Sequence, residues 1–116
     1  MDELIEALRK FRDERDWARF HTPKDLAVSV SIEAGELLEL FQWRHDGHET
    51  SNIDIAEVAD EAADVVIYAL LLFDRLGLDP KREVLAKIAL NAKRFPVEQS
   101  FGVPSTFSKK KIRTLG

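Results

Sequence analysis

Two pairs of acidic residues lie inside apolar sequence, where carboxylates are costly unless they are paired. Glu33 and Glu36 interrupt the apolar segment 28–41, and Glu61 and Asp64 interrupt the segment 55–67. Each pair is spaced i, i+3, so both carboxylates of a pair share one face of a helix. Two such faces packed against one another would form a cluster of four carboxylates. Oxygen ligands without His or Cys select hard cations such as Mg²⁺ or Mn²⁺, so the spacing predicts a metal site. The alternative interpretation is that the acids lie on solvated faces.

Each of the two acidic faces continues into an aromatic residue. Trp43 lies two helical turns beyond Glu36, and Tyr68 lies one turn beyond Asp64. The pattern favours a flat ligand, such as a nucleotide base, held beside a metal–phosphate site. Ordinary core packing is the alternative interpretation for each aromatic residue taken alone.

A third polar face is basic. Lys87, Asn91 and Arg94 follow one another at i, i+4 and i+7, opposite an apolar stripe. Arg binds phosphate oxygens bidentately and Lys acts as a point charge, so this stripe is suited to phosphate. A simply solvated face is the alternative.

The elements that must position these side chains are predicted to be helical throughout. Thr22 and Pro23 form an N-cap followed by a proline at the first helical position, and Asp79 and Pro80 repeat that signature. Gly77 is a helix stop. The predicted helices run from Asp2 to about Trp17, from Pro23 to about Arg44, from Ser51 or Asn52 to Leu76, and from Pro80 to just before Pro96. Residues 45–51 are predicted to form a loop, and no segment is predicted to be a strand. These helices indicate an all-α, four-helix bundle.

Composition narrows the class of protein. The chain has 116 residues, a formal net charge of −4, 45% hydrophobic residues and no Cys. Disulfides and thiolate metal sites are therefore excluded, and the acidity argues mildly against nucleic-acid binding. The longest apolar run is too short to span a membrane and the first residues do not resemble a signal peptide, so we expect a soluble, cytoplasmic protein.

Domain organisation is predicted to be simple. We expect one domain over residues 1–101 and a flexible basic tail over 102–116, which contains Lys109, Lys110, Lys111 and Arg113. The predicted third helix is apolar nearly all round from Val65 to Phe73, and a helix without a polar face is buried on every side. Three other helices would struggle to cover it in so small a domain, so we expect an oligomer.

The sequence resembles a known family. The pattern Glu33-x-x-Glu36, then 24 residues, then Glu61-x-x-Asp64 is similar to the magnesium signature of the MazG-like all-α nucleoside triphosphate pyrophosphohydrolases. The segments RDWARFH at 15–21, ELLELFQW at 36–43, DVVIY at 64–68 and KxxxNxxRFP at 87–96 resemble the dCTP pyrophosphatase branch. The resemblance covers about residues 1–100. One departure is Ile32, which stands where the family commonly has a Glu.

The resemblance implies a helical subunit that dimerises, with dimers often pairing into tetramers. It implies hydrolysis of a deoxynucleoside triphosphate, with dCTP favoured, to the monophosphate and pyrophosphate, as part of nucleotide-pool housekeeping. Mg²⁺, with Mn²⁺ as the substitute, would be held by Glu33, Glu36, Glu61 and Asp64. The base and sugar would be lined by Trp17, His21, Trp43 and Tyr68, and the phosphates would meet Lys87, Asn91 and Arg94.

The alternatives to a pyrophosphohydrolase are a di-iron bundle and a non-enzymatic interaction module. A carboxylate-bridged di-iron bundle needs Glu-x-x-His on two helices, and none of the three His residues follows a Glu at that spacing. A non-enzymatic helical interaction module explains the apolar third helix but not the alignment of Trp43 and Tyr68 with the acids. An interaction module would show no Mg²⁺-dependent thermal shift.

Overall fold

The computed structural model of the chain describes residues 1–43 and 53–103. Its helices are α1 (Asp2–Glu14), a 3-10 turn (Ala18–Phe20), α2 (Pro23–Glu39), α3 (Ile55–Arg75), α4 (Pro80–Arg94) and the short α5 (Val97–Ser100). No strand occurs in these two ranges, which confirms the all-α prediction. The predicted loop and nearly all of the predicted basic tail lie outside the described residues, so the tail stays a prediction.

Local signals placed four of the helix boundaries correctly to within one residue. The Thr22 side chain accepts a hydrogen bond from the backbone N–H of Asp25 at 3.1 Å, and Pro23 follows it at the first helical position. Gly77 adopts φ +71° just beyond α3, a left-handed conformation that glycine reaches without a Cβ penalty. Helix α4 begins at Pro80 and ends at Arg94, as predicted.

Three predicted boundaries were wrong by a few residues. Helix α1 ends at Glu14 rather than near Trp17, because Asp16 turns the chain with φ +55°. Helix α2 ends at Glu39, and a turn follows through Trp43. Helix α3 begins at Ile55, later than predicted, because the Asp54 carboxylate caps it by accepting from the N–H groups of Ala56 and Glu57 at 3.0 and 3.3 Å.

The chain divides into two compact units, Met1–Pro80 and Lys81–Gly116. In the first unit α2 packs along α3, and α1 also contacts α3. The buried side chains Ile5, Leu26, Leu70 and Leu71 come from all three of these helices and form the core. The second unit contains all of α4 except its first residue, followed by α5.

Many large apolar side chains remain exposed in the described parts of the chain. Leu4 is 42% exposed on α1, and Val66 is 51% exposed in the middle of α3. No helix among the described residues is both long and apolar enough to cross a membrane.

Candidate active site

Helices α2 and α3 bring together three of the four predicted metal-binding carboxylates. One carboxylate oxygen from each of Glu33, Glu61 and Asp64 lies within 4.8 Å of the others. The cluster forms because Glu33 lies on the face of α2 that packs against α3, and because Glu61 and Asp64 are one turn apart on α3. Three oxygen donors at this separation match the ligand chemistry of Mg²⁺ or Mn²⁺.

The electrostatics of the cluster are those of an unneutralised acidic site. Desolvation is the main cause that raises the pKa of Glu33, and the neighbouring carboxylates Glu36, Asp64 and Glu61 add to it. Desolvation likewise raises the pKa of Glu61, with the negative charges of Glu36 and Asp64 next in size. A bound cation would reverse both effects, since it favours the ionised carboxylates.

Two oxygen atoms of the cluster lack a hydrogen-bond partner among the described residues. They are Oε2 of Glu33 and Oε2 of Glu61, and both are buried. Buried polar atoms are normally satisfied, so orphaned acceptors need a ligand or a water. The residues present therefore fit a hard divalent cation.

Glu36 lies beside the cluster. Glu36 is exposed, and its negative charge is among the causes that raise the pKa values of both Glu33 and Glu61. Its role as a metal ligand stays a prediction.

A mostly apolar cavity of about 260 Å³ adjoins the acids through Asp64, which lines it. The remaining lining residues come from α1, from the segment after α1 and from α3, and they are Leu8, Phe11, Arg12, Trp17, His21, Ile67, Tyr68 and Leu71. Three of the four predicted base-binding residues are thus together in one cavity. The cavity is concave, apolar and furnished with few polar groups, as small-molecule sites usually are.

The chain turn after α1 places the first aromatic wall of the cavity. The left-handed Asp16 reverses the chain so that the Trp17 ring meets the Phe11 ring edge-on, with centroids 5.6 Å apart. The Arg15 guanidinium covers the Phe11 ring at 3.8 Å from its centroid and donates to the Phe11 carbonyl at 2.9 Å. These contacts fix Trp17 before any ligand binds.

His21 presents a neutral imidazole to the cavity. Its backbone carbonyl accepts from Arg75 Nε at 3.1 Å, and its Nδ1 is buried without a partner among the described residues. Burial lowers the pKa of His21, and the positive charge of Arg12 lowers it further. The ring is therefore uncharged at neutral pH and offers one donor and one acceptor.

Comparison with known proteins shows the family of the chain. Residues 28–109 match the MazG-like family. The chain belongs to the MazG-like family. It is similar to dCTP pyrophosphatase 1 of Homo sapiens, with 40% identity over 91 residues, 75% of this chain and 54% of that protein. It is also similar to dCTP pyrophosphatase 1 of Rattus norvegicus, with 38% identity over 97 residues, 80% of this chain and 57% of that protein.

A solved structure is similar over a larger share of its length. A pyrophosphatase from Archaeoglobus fulgidus superposes with a TM-score of 0.77 at 45% identity, covering 83% of this chain and 92% of that one. By contrast, this MazG-like chain spans little more than half the length of the curated relatives it matches.

The remaining predicted site residues of this MazG-like chain lie outside the cavity. Trp43 is in the turn after α2, is 85% exposed and is not among the residues that line the cavity. Lys87, Asn91 and Arg94 lie on α4, in the second unit. Their predicted roles in base and phosphate binding stay predictions.

Sequence reasoning missed Arg12, Leu8 and Phe11 as cavity residues. The spacing of Leu8, Phe11 and Arg12 at i, i+3 and i+4 along α1 places them on one face, and this spacing is the signal that could have identified them as neighbours. Asp74 was an overlooked signal, because it is an acid directly after the apolar run that ends at Phe73. Its partners are Arg9 and Arg12 of α1.

Proposed function

We propose that this chain hydrolyses deoxynucleoside triphosphates, dCTP above others, to the monophosphate and pyrophosphate in a Mg²⁺-dependent reaction. The observation that carries the proposal is the junction at Asp64, which belongs both to the carboxylate cluster and to the aromatic cavity. A triphosphate needs cations, and a base needs flat apolar walls. The carboxylate cluster and the aromatic cavity would supply these side by side. The MazG-like family and its dCTP pyrophosphatase relatives support the same activity.

The chemistry requires charge neutralisation and an aligned water more than a covalent nucleophile. A water oxygen forms a bond to phosphorus, the bond between the α and β phosphates breaks, and pyrophosphate leaves. Bound divalent cations would supply charge neutralisation and lower the pKa of the attacking water. Glu33, Glu36, Glu61 and Asp64 would hold the cations. Glu39, exposed at the end of α2, or a carboxylate of the cluster would accept the proton of the water.

Substrate would be held by two sets of residues. Trp17 and Tyr68 would contact the base in the cavity, and the neutral His21 would offer it a hydrogen bond. We extend the proposal to Trp43 as a further base contact. The cationic stripe Lys87, Asn91 and Arg94 is suited to phosphate oxygens.

A second copy of the chain is the proposed cover for the exposed apolar surface. A groove of about 360 Å³ runs between α1 and α3, and it is lined by Leu4, Ala59, Ala62, Ala63, Val66, Ile67 and Leu70. Its lining is entirely apolar, and monomeric proteins rarely leave such surface in water. A dimer, or a pair of dimers, would bury it. We propose a housekeeping role in the cytoplasmic nucleotide pool for this assembly.

The test is pyrophosphate release from dCTP, 5-methyl-dCTP, dUTP, dTTP, dATP and dGTP, with and without Mg²⁺. Asp64→Asn should abolish turnover, because it removes a ligand charge and preserves side-chain shape. Glu57→Gln is the matched control, since Glu57 is an exposed acid on the same helix, outside the cluster. It should keep wild-type activity.

The same experiment separates the enzyme from a helical interaction module. An interaction module would release no pyrophosphate from any nucleotide and would show no Mg²⁺-dependent rise in Tm. Full activity of Asp64→Asn would disprove the assignment of the carboxylate cluster.

A further inference from the structure

Arg12 is a cation placed in the wall of an otherwise largely apolar cavity. It lies on α1 among Leu8, Phe11 and the aromatic lining, and its side chain is only 15% exposed. A charged side chain in such surroundings needs partners. Its partners, Asp13 and Asp74, hold the guanidinium in place and are not among the residues that line the cavity.

Two carboxylates fix the guanidinium. Arg12 donates to Asp13 twice, from Nε to Oδ1 at 2.8 Å and from Nη2 to Oδ2 at 3.3 Å. Its Nη1 donates to Asp74 Oδ2 at 2.8 Å. A guanidinium has five N–H groups in a rigid planar fork. Three are used by these bonds, which leaves one N–H on Nη1 and one on Nη2. Those two N–H groups belong to neighbouring nitrogens of one planar group, so they can donate together to two adjacent acceptors of one ligand.

We propose that Arg12 is a specificity-determining residue that selects cytosine by donating to two adjacent acceptor atoms of the base, O2 and N3. The proposal rests on the proposed function, because it concerns the base of the same substrate. In this role Arg12 recognises the pattern of acceptor atoms on the edge of the base, and does not merely attract a negative charge.

Base chemistry explains the selectivity. Cytosine carries acceptors at O2 and N3 side by side, whereas N3 of uracil and thymine carries a hydrogen that would face a donor of Arg12. Adenine has no adjacent pair of acceptors on its pairing edge. Guanine presents such a pair only at O6 and N7, on a larger ring system. Among the residues lining the cavity Arg12 is the only permanent cation, so no other lining group offers this fork.

Arg9 provides a matched control on the same helix. Its guanidinium also binds Asp74, with Nε 2.9 Å from Oδ1, but it lines a different cavity, together with Met1, Asp2 and Glu6. Arg12→Lys and Arg9→Lys both keep the positive charge and can keep an ion pair with Asp74. Only the first removes a paired donor from the aromatic cavity.

The experiment measures kcat/KM for dCTP, dUTP and dGTP in the wild type and in the two variants. Arg12→Lys should lower kcat/KM for dCTP about 10- to 100-fold, the loss expected for hydrogen bonds from a charged donor, and should change dUTP by less than about threefold. Arg9→Lys should leave the dCTP/dUTP ratio unchanged. Because the ratio compares two substrates in one preparation, partial misfolding of a variant cancels.

Four results would overturn the proposal. An unchanged dCTP/dUTP ratio in Arg12→Lys would show that Arg12 does not recognise the base. An equal fall of the ratio in Arg9→Lys would show that the Asp74 ion pair, and not the cavity donor, is responsible. A wild type that hydrolyses dCTP and dUTP equally well would remove the selectivity while leaving the proposed function intact. A wild type that hydrolyses no dNTP at all would overturn both.

Discussion

Replacing Asp74 by Asn tests how α1 is held on α3. The Asp74 carboxylate, near the end of α3, accepts from Arg9 and from Arg12 of α1. Asn has nearly the same shape, so the substitution removes the charge and little else. The side chains of Arg12 and Asp74 are 15% and 16% exposed, whereas that of Arg9 is 45% exposed. Solvent screens the Arg9 contact, so Arg12 dominates the expected loss.

The magnitude follows from that burial. A hydrogen bond between charged groups that is largely sheltered contributes about 1.5 to 3 kcal/mol to the free energy of unfolding. We assign Asp74→Asn a loss of about 2 to 3 kcal/mol, mostly from Arg12. For a chain of this size that loss lowers Tm by roughly 8 to 12 °C.

The pH dependence gives a second signature. Hydrogen bonds from Arg9 and Arg12 lower the pKa of Asp74 below its ordinary value of 3.8. A carboxyl group with a lowered pKa in the folded state stabilises the protein above its ordinary pKa. That stability is lost as pH falls through the lowered pKa. The difference between wild type and Asp74→Asn should therefore be full at pH 7 and should shrink below about pH 4.

Urea unfolding at one fixed protein concentration, followed by circular dichroism at several pH values, measures both signatures. A double-mutant cycle with Arg12→Met isolates the pair, and its coupling should approach the loss seen in Asp74→Asn. A loss below about 0.5 kcal/mol at pH 7 would refute the reasoning, because the pair would then behave like an ordinary surface ion pair. A loss that persists unchanged at low pH would refute the assignment to the Asp74 charge.

Three further predictions concern the metal, the assembly and the base. Glu61→Gln should raise the Tm of the metal-free protein at pH 7 and reduce its rise on adding Mg²⁺. Desolvation and neighbouring charges raise the pKa of Glu61. The protonated Glu61 therefore stabilises the fold at low pH, and this stabilisation is lost as pH rises through the raised pKa. A Tm that the substitution leaves unchanged, with and without Mg²⁺, would contradict this prediction. Val66→Asp should yield a monomer by light scattering, because Val66 is half exposed in the apolar groove; a monomeric wild type at micromolar concentration would show that the groove is not an interface. Trp43→Ala should raise KM for dCTP about 5- to 150-fold if its ring stacks on the base, and an unchanged KM would exclude that contact.

Much of the fold and part of the site follow from local sequence. The start of α2 depends on Thr22 and Pro23, which are neighbours in the chain, and the end of α3 depends on Gly77. The shared helix face of Glu61 and Asp64 depends only on helical periodicity. These features need no knowledge of distant residues, so the sequence by itself determined them.

The tertiary structure decided which of these local features meet. Glu33 joins Glu61 and Asp64 in the cluster while Glu36, on the same helix, lies beside it, because that depends on how α2 packs on α3. Arg12 and Asp74 are 62 positions apart, and nothing local to either residue indicates the other. Trp17 enters the cavity because Asp16 reverses the chain, and a left-handed non-glycine residue has no strong sequence signal. Long-range packing and backbone reversals of this kind are set by the whole fold, so the geometry of the cavity and the position of Arg12 in its wall became visible only in the structure.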